Sequence, residues 1–315
     1  HRTILAKCLF AQYHHLNPDI STIEQIETLK NSTTFTVTTG HQLNLMGGPL
    51  YFLYKIISVI NLAKILKEKH PNNTFVPVFW MASEDHDFKE INHFYFGGHR
   101  LEWKRQSNGP VGRLSTAELD EFFNQFLELL DTNKQSETLI EMVQKAYLKQ
   151  HNLADATRAL VHQLFGDDGL IVVDGDDVQL KRLFLPAIKN ELKNQIVFEE
   201  VTATNQALKK IDLNFKIQVN PRPLNLFYIN NNLRERIEII NGVFRVLNTD
   251  LSWNLDEILK ELETYPERFS PNVLMRPLYQ ETILPNLCYV GGGGELSYWL
   301  EVTYIPKMQL LKMEV

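Results

Sequence analysis

The chain has 315 residues, 44% of them hydrophobic and 22% charged, with a net charge of −6. That length admits one large domain or two ordinary ones with a full core, and the acidic balance argues against a general nucleic-acid binder, which carries a basic surface to neutralise phosphates. Cys8 and Cys288 are the only cysteines; they indicate neither a disulfide framework nor a structural zinc site and fit a reducing cytoplasm, and no apolar run reaches the ~18–20 residues that span a bilayer.

The chain begins at His1 with no initiator Met and no signal-peptide pattern. Its β-branched run "TTFTVTT" (33–39) reads as a strand. A helix follows over 49–69, with Pro49 near its start, an apolar stripe of Leu50, Leu53, Ile56, Ile57, Ile60 and Ala63, and Lys67, Lys69 and Pro71 closing it. "TFVPVFWMA" (74–82) reads as a strand covered on both faces, although Pro77 counts against a central position. Strand, helix and strand at this spacing form a βαβ unit with parallel strands.

Residues 113–165 are expected to be mostly helical, with Ser115 or Thr116 as the N-cap of "STAELDEFFNQFLELL". "GLIVVD" (169–174) is a third buried strand, followed by a helix over about 177–195. Over 211–250 the segments "FKIQVN", "LNLFYIN", "RIEII" and "VFRVLN" read as short strands divided by turn signals. "NVLMR" (272–276) is a candidate strand, and "NLCYV" (286–290) another, ahead of the helical "ELSYWLEV". The expected organisation is an α/β parallel-sheet core over 1–198 with a helical insertion near 113–165, a small antiparallel insertion over 199–268, and a return to the core over 269–315. The closing "IPKMQLLKMEV" reads as interrupted rather than capped, as in a piece of a longer protein.

The polar motifs fall at strand ends. Gly40-His41-Gln42 follows the first strand, Ser83-Glu84-Asp85-His86-Asp87 the second, "DGDD" (174–177) the third, and Gly291-Gly292-Gly293-Gly294-Glu295 the last. In a parallel sheet these ends share one edge, where open α/β sheets bind ligands. His41, with Gln42 and Asn44 beside it, supplies donors for a phosphate or carboxylate oxygen. The carboxylates around His86 would repel one another unless solvated or paired; they suit the orientation of an amine or a Mg-nucleotide. As a metal set they are weak, since adjacent side chains seldom converge, and no metal ligands are assigned. Four glycines before a helix let backbone amides approach an anion. Plainer readings stand beside each of these: a satisfied His41, a solvated acidic loop, Asp176 or Asp177 as an N-cap, a flexible glycine turn, Tyr298 and Trp299 as packing residues. Arg222 and Arg276 each precede a proline and could clamp a carboxylate or form a salt bridge, Gln280 and Glu281 being candidate partners of Arg276.

With these motifs assembled, the chain resembles the bacillithiol biosynthesis cysteine-adding enzymes. The resemblance is carried by "TTGHQLNLMGGPLYFLYKIIS" (38–58), "VPVFWMASEDHDFKEINH" (76–93), "NLADATRAL" (152–160), "SPNVLMRPLYQETILPN" (270–286) and "YVGGGGELSYWLE" (289–301), in family order over nearly the whole chain. It implies a Rossmann-like core related to nucleotide-activating synthetases, connecting-peptide insertions and a coiled-coil arm that this chain lacks. It implies a cytoplasmic ligase that adds L-cysteine to the amine of glucosaminyl-malate, with ATP/Mg as the expected activator. The partners implied are those two small molecules and a homodimer through the arm, with neither nucleic acid nor membrane. Thr39, Gly40, His41, Gln42, Asn44, Asp174, Arg276, Gly291 to Gly294 and Glu295 would bind substrate or nucleotide. Glu84, Asp85, His86 and Asp87 would carry the catalysis, one carboxylate acting as general base. Family members also carry Gln where His41 stands, which favours hydrogen bonding over proton transfer there. A nucleotidyltransferase of related core and a non-catalytic binding or assembly protein are the alternative readings.

Overall fold

After two N-terminal helices, α1 (Arg2–Tyr13) and α2 (Ile20–Thr28), the β-branched run forms β1 (Thr34–His41). It is followed by α3 (Leu50–Lys69) and β2 (Thr74–Met81). This computed structural model describes residues 1–302. The chain divides into two units, Arg2–Gly175 with Asn286–Val290, and Asp176–Pro285 with the residues from Gly291 on. The closing "IPKMQLLKMEV" lies outside the described residues.

The first unit is built on a four-stranded sheet. Beyond β2 it contains α4 (Phe88–Ile91), the hairpin β3 (His93–Phe96) and β4 (His99–Glu102), the helices α5 (Asp120–Leu127), α6 (Lys134–Val143) and α7 (Leu153–Phe165), and β5 (Ile171–Asp174). The strand Asn286–Tyr289, β11 in chain order, returns to this sheet. The order is β11-β1-β2-β5, and every pairing is parallel. The expected α/β class is what forms.

β2 is central despite Pro77. Thr74 N donates to Thr33 O and Ala82 N to His41 O, both at 3.0 Å, so even-numbered amides of β2 face β1. Pro77 therefore turns its missing N–H toward β5, whose pairing starts only at Val78↔Ile171. The ladder loses no donor, which removes the objection to proline there.

The buried face of α3 consists of Phe52, Lys55, Ile56, Val59, Ile60 and Ala63, while Leu50 and Ile57 are exposed. The stripe read from periodicity is thus rotated. Apolar residues surround the first two turns, so spacing alone did not select a face, and a lysine sits on the one that is buried. In the helical insertion, α5 starts at Asp120 rather than at Ser115 or Thr116. Ser115 instead bridges to Asn152, and the Thr116 hydroxyl donates to Gln150 O. Asn152 caps α7, accepting from Asp155 N at 2.8 Å.

The second unit opens with α8 (Val178–Asn194), capped by Asp177 through Gln179 N and Leu180 N, as the plainer reading of that motif expects, and continues into α9 (Ile196–Ile211). Its antiparallel sheet, ordered β10-β6-β7-β8-β9, contains β6 (Leu226–Asn230), β7 (Leu233–Ile240), β8 (Val243–Val246), β9 (Ser252–Trp253) and β10 (Phe269–Pro271). Three helices complete the unit: α10 (Leu255–Thr264), α11 (Arg276–Ile283) and α12 (Gly293–Glu301). "FKIQVN" is not a strand; Gln218 N and Val219 N donate to the Glu301 carboxylate at 2.6 and 3.3 Å instead. "NVLMR" is not one either, because Asn272 Oδ1 accepts from Leu274 N and Met275 N and turns the chain into α11. Among the described residues the longest helix is α3, with 20 residues, no coiled-coil arm is present, and no helix is long and apolar enough to cross a membrane.

Candidate functional site at the sheet edge

The strand order singles out one edge as the candidate site. From β1 the chain adds β2 and then β5 on one side, while β11 lies on the other. The direction of winding reverses between β1 and β11, and the carboxyl ends there form the binding crevice of open α/β sheets. The two strands are tied by side chains as well as by the ladder. Val290 N donates to Thr38 O at 2.8 Å, the Thr39 hydroxyl donates to Val290 O at 2.7 Å, and Thr38 Oγ1 donates to Asn286 Oδ1 at 2.7 Å. Thr39, expected to bind ligand, is fully buried and has its hydroxyl engaged in this tie.

β1 runs two residues further, paired with β2 through Gly40↔Trp80 and His41↔Met81. Residues of one parity face the same neighbour, so Gly40, like Thr38, turns its carbonyl toward the side of β11. There Lys55 Nζ donates to Gly40 O at 2.5 Å. Lys55 is 5% exposed and was not singled out in the sequence. Glycine at position 40 has a steric reason, since a Cβ would lie 3.2 Å from Trp80 O and 3.3 Å from Tyr289 Oη.

His41 ends β1, and its carbonyl accepts from Ala82 N. Its ring stands edge-on to Phe52, with centroids 5.5 Å apart, and to Tyr51 at 5.9 Å. Gln42 reaches the acidic loop: its Nε2 donates to Asp85 Oδ2 at 3.1 Å and to Glu90 Oε2 at 2.7 Å. Asn44 Nδ2 donates to Glu90 O at 3.2 Å. The turn after β1 and the loop after β2 are therefore one assembly.

That loop is held from behind by a third segment. Gly112 N donates to Ser83 O at 2.8 Å and Val111 N to Asp85 O at 2.7 Å. Asp85 Oδ1 accepts from His86 N at 2.7 Å, with His86 Nδ1 at 3.4 Å. Glu84 is half-buried and Asp87 exposed. One ligand atom from each of Asp85, His86 and Asp87 lies within 4.8 Å of the others. Three adjacent side chains converge here, against the expectation that they diverge, and two of them supply the carboxylate oxygens that hard divalent cations take.

Asp174, at the end of β5, joins the same edge. The Ser83 hydroxyl donates to its Oδ1, Arg158 Nη2 lies 3.8 Å from its Oδ2, and the Gln12 amide bonds its backbone N and O at 3.0 Å each. Arg158 is 2% exposed and also pairs with Asp155 at 2.6 Å. A cation on the apolar face of a helix was the available signal for both Lys55 and Arg158.

In the second unit, Arg276 Nη1 donates to Gln280 Oε1 and Nη2 to Tyr298 Oη, both at 3.1 Å. Gly292 N donates to Glu295 Oε2 at 2.9 Å, the half of a capping box that an N-cap glycine can make on α12. A Cβ at Gly293 or Gly294 would meet nothing within 4 Å, so packing does not require glycine at either position. The structure thus brings Thr39 to Asn44, Glu84 to Asp87 and Asp174 to one edge, whereas Arg276, Gly291 to Gly294 and Glu295 belong to the other unit.

The family model described as the N-terminal Rossmann-like domain of bacillithiol biosynthesis BshC matches residues 1–315. A Flavobacterium johnsoniae protein named "Putative cysteine ligase BshC" is 54% identical over 301 residues, covering 96% of this chain and 56% of that protein. Proteins of the same name from Christiangramia forsetii and Bacillus pumilus are 49% identical over 305 residues and 33% identical over 314, each alignment covering 96% of this chain and 56% and 57% of the relative, respectively. The chain spans about half the length of the curated relatives it matches. It belongs to the bacillithiol biosynthesis BshC family and carries that family's N-terminal Rossmann-like domain.

Proposed function

We propose that this chain is the Rossmann-like part of a ligase that joins the carboxyl group of L-cysteine to the amine of glucosaminyl-malate. The name of the relatives supports the cysteine-ligase part of this reading. The observation that carries it structurally is the meeting of three strand ends, through Gln42–Asp85 and Ser83–Asp174, beside the Lys55-bound carbonyl of Gly40.

In such a reaction the amine nitrogen forms a bond to the cysteine carboxyl carbon, a C–O bond to the leaving oxygen breaks, and the amine proton passes to a base. A free carboxylate is a poor acyl donor, so Mg-ATP belongs to the proposal as the co-substrate that supplies a better leaving group. One feature fits it: Asp85, His86 and Asp87 place their ligand atoms within 4.8 Å of one another. Asp85, oriented by Gln42 and by its own loop, and Glu84 beside it are the candidates for the base. Positioning the amine against the carboxyl carbon is the main contribution expected of this edge.

The test is incubation of the full-length protein with L-cysteine and glucosaminyl-malate, with and without Mg-ATP, followed by mass spectrometry. The expected result is the cysteinyl amide only where Mg-ATP is present. Amide formed without nucleotide overturns the activation step, and no amide in either case overturns the ligase reading.

A further inference from the structure

The second unit contains a cleft that the proposed chemistry does not use. β6 pairs with β7 only from Phe227↔Arg236 to Asn230↔Leu233. β7 runs on to Ile240 and is paired there on its far side with β8, from Ile237↔Val246 to Ile240↔Val243. Over this stretch β7 has a strand on one edge alone.

The residues that would extend β6 backward along the other edge are turned away. Pro223 has no amide to donate. Asn225, 1% exposed, folds the lead-in onto itself: Arg222 N donates to its Oδ1 at 3.3 Å, and its Nδ2 donates to Arg222 O at 2.7 Å. Asn225 is anchored in turn to the fully buried Glu191, whose Oε1 accepts from Asn225 N and Nδ2 at 3.0 Å each. Closing the gap would break these buried bonds, so the opening is enforced by polar groups that have no cheaper arrangement.

What is left is a cavity of about 260 Å³ between residues 222–224 and 236–239. Leu224, Ile237 and Ile239 give it apolar walls, and Arg222 and Arg236 line it against the single carboxylate of Glu238. Glu238 faces Arg245 across the ladder. Neither Arg222 nor Arg236 forms an ion pair among the described residues, in a chain whose net charge is −6. Two guanidiniums without an ion pair around one cavity favour an anion that presents paired oxygens, a carboxylate or a phosphate, and the open edge of β7 offers backbone groups to the rest of the molecule.

We propose that this cleft is a second small-molecule site, selective for an oxyanion such as a carboxylate or phosphate. The volume lies just below the range usual for drug-sized ligands, which limits the ligand to a small metabolite. The proposal does not depend on the ligase reading.

The test is a titration of the full chain with succinate and, separately, with inorganic phosphate, read on the isoleucine δ1-methyl signals of Ile237 and Ile239. Expected is a saturable shift of both signals with at least one probe, weakened at least about tenfold by R222Q and by R236Q. K209Q removes the same charge from an exposed position on α9 and is expected to leave the affinity unchanged. A response to succinate alone assigns a carboxylate ligand, and a response to phosphate alone assigns a phosphoryl one. R222Q, on an exposed residue outside the ladder, carries the test should R236Q unfold. No saturable shift with either probe, or undiminished affinity in R222Q, overturns the proposal.

Discussion

Lys55 Nζ and Gly40 O meet at 2.5 Å on the side of β1 that β11 has vacated. A lysine 5% exposed requires a partner to offset its desolvation, and an end-of-strand carbonyl requires a donor. Each satisfies the other, and the bond pins the backbone at the winding-reversal point. Lys55→Met keeps the side-chain length and leaves that carbonyl without its charged donor, at an expected cost of about 1–3 kcal/mol. Urea unfolding of the variant measures it. A midpoint equal to that of the parent would show that the bond contributes nothing to the fold.

Gly112 is required by the acidic loop. A Cβ there would stand 2.6 Å from Ser83 Cβ and 2.9 Å from Ser83 O, the second a backbone atom that cannot rotate away. Gly112→Ala must therefore displace the start of the loop that carries Glu84 to Asp87. The expected results are a stability loss of about 1–3 kcal/mol and at least a tenfold drop in amide formation. A parental rate together with a parental melting temperature would show that the loop position is irrelevant.

The architecture was readable because the signals are local. β-branched and apolar runs mark β1, β2 and β5, and the placement of polar residues directly after them picks out the candidate edge without any contact being known. What was not readable depends on partners distant in the chain. Arg158 owes its burial to Asp174, Asp155 and Gln12, and Lys55 to a backbone carbonyl, which no composition rule can name. "NVLMR" has strand-like residues, but one asparagine side chain outcompetes the ladder. Within the candidate site, the motif residues, Ser83 among them, were visible, while Gly112 and Glu90, which help to hold them, were not singled out. Their role is set by geometry across elements.

Acid sensitivity is expected at His162. Burial lowers its pKa, against the opposing pull of the Asp19 and Asp167 carboxylates, and its Nδ1 is buried with no hydrogen-bond partner. The folded state thus binds this proton less readily than the unfolded chain. The stability it contributes is present above the unfolded histidine value of about 6.5 and is lost as pH falls through the lower folded value. Unfolding midpoints measured from pH 7 to pH 5 are expected to decline, and His162→Gln is expected to flatten that slope. An unchanged slope in the variant would move the titration to other groups.

Arg158 separates the support of the site from its chemistry. It is 2% exposed, paired with Asp155 at 2.6 Å and lying 3.8 Å from Asp174. Removing it leaves two half-buried carboxylates, 29% and 16% exposed, without their buried cation, which places the cost at the low end for a broken buried pair, about 3 kcal/mol. Arg158→Leu is therefore expected to lose a large part of the fold's stability, whatever happens to activity. Asp174→Asn keeps an oxygen for the Ser83 hydroxyl and gives up the charge that faces Arg158 at 3.8 Å, so its cost should stay near 1 kcal/mol. Measured side by side by urea unfolding, the two variants should differ by at least about 2 kcal/mol. If Asp174→Asn folds normally yet forms amide at least tenfold more slowly, the Asp174 charge acts at the edge itself. Equal destabilisation by the two variants would instead make Asp174 part of the scaffold, leaving Glu84, Asp85 and Asp87 as the acidic groups available to substrate.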